Sequence, residues 1–91
     1  MSLPVAIGGS YKNMTATANV SALPATLVGV LCSTTTSGTI QFYDSASTGT
    51  STPITGVITP AAGSFTPIYA ATNAGIYAVI ANTLNCTVIF A

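Results

Sequence analysis

The sequence predicts an all-β fold: a small single-domain β-sandwich, jelly-roll-like or immunoglobulin-like, of about seven to eight short strands. Three observations carry this expectation. Apolar residues recur at every second position along most of the chain, no window of ten or more residues keeps a helical stripe, and Gly, Pro, Asn and Ser clusters break the pattern every ~8 to 12 residues. A length of 91 residues suits one domain. Residues 1–10 read as an N-terminal arm and residues 11–91 as the sandwich domain.

The elements follow in chain order. Leu3, Val5 and Ile7 alternate before Gly8-Gly9, and residues 11–20 alternate more weakly before Pro24, so this segment reads as an arm plus one strand. Residues 25–33 predict a central strand with apolar groups on both faces, in which Gly29 marks a bulge or a close backbone approach. Residues 34–38 read as a turn, and residues 39–43 alternate again with Ile40 and Phe42 on one face, giving a hairpin. Residues 44–52 form an apolar-poor surface loop closed by Pro53, which cannot donate to a sheet. A short strand over residues 54–59 carries Gly56, and residues 60–63 turn the chain. Pro67 demotes residues 64–70 to an edge or interrupted strand. Beyond a turn at 72–75, Ile76, Ala78 and Ile80 share one face of a strand opposite Tyr77 and Val79. Residues 82–85 turn the chain into a last strand over 86–90.

Charge is nearly absent. Lys12 and Asp44 are the only charged side chains, and histidine and tryptophan are missing. An average domain is about 25% charged, whereas this one is 2% charged and 49% hydrophobic. The apolar run Leu27 to Cys32 contains Gly29 and falls far short of the ~20 residues a spanning helix needs, so no membrane role is expected. Met1-Ser2-Leu3-Pro4 lacks the basic opening and apolar core of a secretory signal, so export by that route is not expected either. Disorder requires low hydrophobicity with high net charge, and neither holds.

The same inventory limits chemistry. General acid-base catalysis draws on His, Glu, Asp, Lys, Tyr or Cys within mutual reach, and no such constellation can be assembled, so the chain reads as no enzyme and no cofactor is expected. Phosphate neutralisation needs clustered Lys and Arg, which excludes nucleic acid as a partner. Two cysteines without histidine make no metal site. Net charge near zero promotes association, which predicts an assembly subunit, a homo-oligomer such as a dimer or trimer.

Individual residues have plain readings. Cys32 and Cys86 each fall on a strand and permit one disulfide or two thiols. An immunoglobulin-type bridge would bring a Trp between them and a Tyr at position 84, where Leu84 stands, so buried free thiols are the reading adopted. Asp44 ends a strand and precedes Ser45, as an Asx-turn acceptor of backbone N–H groups does. Asn13-Met14-Thr15, Asn19-Val20-Ser21 and Asn85-Cys86-Thr87 match the glycosylation pattern but are what a chain with 16 threonines yields by chance. Aromatic side chains anchor interfaces, which makes Tyr11, Phe65, Tyr69 and Tyr77 candidate contact residues beside Leu3, Val5 and Ile7 of the arm.

The stretch Ser37-Gly38-Thr39-Ile40-Gln41-Phe42-Tyr43-Asp44, followed by Pro60-Ala61-Ala62-Gly63, Gly75-Ile76-Tyr77-Ala78 and Cys86-Thr87-Val88-Ile89-Phe90, resembles small capsid decoration (cement) proteins of tailed bacteriophages. The resemblance covers about two-thirds of the chain and transfers no catalytic residue. It implies a β-sandwich made in the bacterial host cytoplasm that oligomerises on the outer capsid surface of the virion. There it would bridge neighbouring copies of the major capsid protein against internal pressure. The competing expectation is a tail, fibre or surface adhesin module that binds a receptor or glycan.

Overall fold

The computed structural model describes residues 10–91. The regular elements among them are strands: β1 (Ser10–Met14), β2 (Ala18–Ser21), β3 (Thr26–Tyr43), β4 (Phe65–Ala71) and β5 (Ile76–Phe90). They form one antiparallel sheet in the order β1-β5-β3-β4, with β2 paired to the far end of β5. The all-β reading holds. The strands are fewer and longer than the sequence predicts, because the segments expected to turn at 34–38 and 82–85 stay in the ladder. β3 runs unbroken for 18 residues and β5 for 15.

The physical reason lies in the residues of those segments. Thr34, Thr35 and Thr36 are β-branched and pair with Asn85, Leu84 and Thr83, so the extended conformation is retained. The turn-forming residues put bulges in the ladder instead of ending it, and bulges bend a strand. Ser37 (φ 55°) and Asn82 (φ 61°) are both left-handed, at neighbouring levels of the two strands, and β3 shifts register between Cys32 and Thr34 and again between Thr36 and Ser37. The bend is secured by side chains: Asn82 Nδ2 donates to the Ser37 carbonyl at 2.8 Å, and the Gly38 N–H donates to Thr35 Oγ1 at 2.9 Å. Ser33, Thr34, Thr36 and Ser37 are exposed, as are Ala81, Asn82 and Thr83.

The bend separates two halves of the sheet. In the first, the start of β3 lies between the end of β5 and β4, and β1 covers the other side of β5. In the second, the end of β3 pairs with the start of β5, with β2 beyond it. The free side of β3 there is taken by residues 53–58 through bridges Ile40↔Ile58 and Tyr43↔Pro53. Ile40 and Ile58 exchange both backbone hydrogen bonds, at 2.9 and 2.8 Å.

One apolar cluster serves both halves. Leu27, Val30, Cys32, Leu84, Cys86, Val88 and Met14 supply the first, and Ile40, Phe42, Ile76, Ala78 and Val20 the second. Full burial of each larger side chain contributes about 1.5–3 kcal/mol. The register shift between Leu27 and Gly29 moves the buried set of β3 from Leu27 to the even positions Val30 and Cys32. The apparent two-sided apolar strand is thus a one-sided strand with a bulge, and Leu31 is turned outward at 40% exposure.

Candidate functional site

The outer face of the first half gathers apolar side chains by cross-strand pairing. Residues directly opposite in an antiparallel ladder project to the same face. The register places Tyr11 opposite Ile89, Ile89 opposite Gly29 and Gly29 opposite Pro67, a row that crosses β1, β5, β3 and β4. The next row on that face runs Asn13, Thr87, Leu31 and Phe65. Tyr11 is 76% exposed, Tyr69 70% and Phe65 43%.

Gly29 makes the surface continuous. Its missing side chain is replaced by the Phe65 ring: a Cβ added there would lie 2.6 Å from the ring tip and 2.5 Å from the Thr66 carbonyl oxygen. Sequence reading anticipates a bulge or a close approach at this glycine, and both occur. Pro67 sits on β4, at the end of the strand order, where its missing N–H costs no ladder bond.

Tyr69 is the strained member. β4 has one residue more than β3 between the pairs Leu27↔Ala70 and Gly29↔Pro67, and Tyr69 lies in that bulge at φ 54°. A bulky non-glycine residue rarely occupies the left-handed region, at a cost of about 1–3 kcal/mol. Bulges re-aim side chains, and the Tyr69 ring stands in solvent.

A polar margin borders the face. Asn13 Nδ2 donates to Asn85 Oδ1 at 3.1 Å, to the Cys86 carbonyl at 3.1 Å and to Thr87 Oγ1 at 3.2 Å. The outer edge of β4 has no strand beside it among the described residues.

The structure brings Tyr11, Phe65 and Tyr69 together on this face and adds Leu31, Pro67 and Ile89, which sequence reading did not select. The alternation of Leu31 and Ile89 out of phase with Val30 and Val88 was the available signal. Tyr77 lies elsewhere. It is half-buried in the second half, opposite Tyr43, with ring centroids 6.2 Å apart. Leu3, Val5 and Ile7 lie outside the described residues.

The two charges have structural partners. Lys12 Nζ donates to the Asn19 carbonyl at 2.9 Å, tying β1 to β2. The Asp44 carboxylate accepts from the N–H groups of Asn73 and Ala74 at 2.8 Å and of Gly75 at 3.3 Å. Those amides, Asn73 first, hold its pKa below the usual 3.8. Asp44 is an N–H acceptor as the sequence suggests, but for a loop about 30 residues away and not for its own turn.

Among the described residues no pocket opens, and no group of three or more His, Cys, Asp or Glu gathers to hold a metal. No helix there is long and apolar enough to cross a membrane. Compared with protein-family models, curated proteins and solved structures, the chain matches none of them.

Proposed function

We propose that the chain is a structural virion protein, a capsid decoration protein that self-associates on the outer shell and stabilises contacts between major capsid proteins. The observation that carries this reading is the aromatic and aliphatic outer face of Tyr11, Ile89, Leu31, Phe65, Pro67 and Tyr69. A second copy of the chain is its occupant. Two neutral copies do not repel one another, aromatic anchors with a polar rim are the anatomy of an interface, and the edge of β4, which no described strand covers, offers backbone groups for strand addition beside the same face. Individually weak contacts suffice on a shell, since many are made at once.

The sandwich belongs to this reading. The bend of β3 and β5 folds the two halves of the sheet toward each other as facing layers, with Leu27 and Val30 in one and Ile40 and Phe42 in the other. Their complete burial supports it, because a single open layer leaves one face wet.

The experiment is an image of the native particle carrying the chain, with copies counted. Hundreds of copies over the shell are expected. A few copies at one vertex would assign the chain to the tail and overturn the proposal. Occupancy is also expected to change little between low salt and about 1 M, where charge pairs are screened.

A further inference from the structure

The geometry points to Cys32 and Cys86 as a cross-strand disulfide site, closed by oxidation as the β3–β5 ladder pairs and sealed in the core once folding is complete. This inference is independent of the assembly reading.

The two cysteines are directly opposite in the β3–β5 ladder. The backbone shows which kind of pair they form. The Cys32 N–H donates to the Ser64 carbonyl at 2.9 Å, and the Gly63 N–H donates to the Cys32 carbonyl at 2.8 Å. Both backbone groups of Cys32 therefore face away from β5, which makes Cys32–Cys86 a non-hydrogen-bonded pair. Such pairs bring Cα atoms to about 4.5 Å with their side chains close. A disulfide spans Cα atoms about 4.4–6.8 Å apart, so the ladder itself supplies the spacing.

Both side chains point into the core and are fully buried. Burial, and secondarily the neighbouring Cys32, pushes the Cys86 thiol up to about 11. The thiolate is the nucleophile in exchange, so the folded, reduced protein is protected and the bond forms after β3 and β5 pair but before the core closes over them. With glutathione disulfide as oxidant, one cysteine thiolate attacks its S–S bond, forming a mixed disulfide and releasing one glutathione thiolate. The second cysteine thiolate then attacks the protein-bound sulfur, forming the Cys32–Cys86 bond and releasing the second glutathione. Two protons leave the cysteines and end on the two glutathione thiols. The chain loses two electrons, and the glutathione disulfide gains them.

The position gives the bond a purpose. Register breaks down immediately beyond Cys32, at the shift before Thr34 and again before Ser37. The bridge would staple the last regular rung before the bend, where the ladder is most easily opened.

The test refolds the full chain from urea in a glutathione redox buffer near pH ~8.5, where thiolates are abundant in the open chain. The expected product is a single chain, not covalently joined to another, lighter by two hydrogens and with no titratable thiol. Its Tm should rise by on the order of 10 °C, a rise lost when the bond is reduced with dithiothreitol in urea and the chain refolded. Native reduced protein should react with a thiol reagent at least ~100-fold more slowly than the unfolded chain. Cys32→Ser and Cys86→Ser should each retain a single free thiol and show no redox-dependent shift. Persistent paired thiols, glutathione adducts alone, or disulfide-linked dimers would overturn the assignment.

Discussion

Both halves of the sheet carry outward aromatic side chains, but among the described residues only the second half ties its own to one another and to neighbouring loops. In the second half, Tyr43 and Tyr77 face each other across β3 and β5, and the Tyr43 hydroxyl donates to Gln41 Oε1 at 2.9 Å. Gln41 Nε2 in turn donates to the Thr55 carbonyl at 3.0 Å, and Asn19 Nδ2 reaches the Ser45 and Ser47 carbonyls. In the first half, Tyr11 and Tyr69 stand in solvent and Tyr69 is held in a strained backbone conformation. Exposed aromatic rings that no described side chain holds, Tyr11 and Tyr69, are therefore stronger contact candidates than the hydrogen-bonded and ring-paired Tyr43 and Tyr77.

Substitutions should separate the halves. The largest effect is expected from Phe42→Ala in the core of the second half, where a cavity should cost about 3–5 kcal/mol in a urea titration. A loss below ~1 kcal/mol would mean that this half is not packed as described. Next, Tyr11→Ser combined with Tyr69→Ser should weaken self-association by roughly 30-fold, or about 2 kcal/mol, and leave monomer stability within ~0.5 kcal/mol. Equal damage to folding and association would assign these rings to the fold.

Tyr69→Gly sharpens the contrast. Glycine accepts the left-handed conformation, so the unfolding midpoint should hold or rise while association falls, as read by parallel denaturation and sedimentation runs. Tyr43→Phe should cost about 0.5–1.5 kcal/mol, the worth of one hydrogen bond, with association unchanged.

The smallest effect concerns pH. The folded-state pKa of Asp44 is depressed, so its stabilisation is present above about 3.8, the unfolded value, and is lost as pH falls through the lower folded value. Asp44→Asn should flatten the stability profile in that acidic window and slightly lower the midpoint at neutral pH.

Much of the first half was legible residue by residue. Gly29 reads as a bulge or close approach, Pro67 as an edge residue, and Tyr11, Phe65 and Tyr69 as contact candidates from their chemistry, three side chains that the structure leaves exposed. Their convergence on one face was not legible, because it depends on the register of four strands and on bulges that a period-two pattern does not locate. The same limit explains why Leu31 hid inside an apparently two-sided strand. It also explains why polar residues at 34–38 read as a turn: threonine serves ladders and loops alike, and the cross-strand partners at Thr83 and Asn85 decide. Asp44 was legible as an acceptor, but its distant donors at residues 73–75 were not. Tyr77 matched the pattern of a contact residue, and only its pairing with Tyr43 distinguishes it.

The proposed assembly of this nearly uncharged chain runs through the apolar outer face of one half of its sheet. Sedimentation equilibrium of the wild-type chain and of the Tyr11→Ser, Tyr69→Ser double variant, at low salt and at about 1 M, tests it most directly. The expected result is a concentration-dependent homo-oligomer of the wild type that persists at high salt and dissociates in the variant. A wild-type monomer at every concentration, or an oligomer that salt releases and the variant retains, would contradict it.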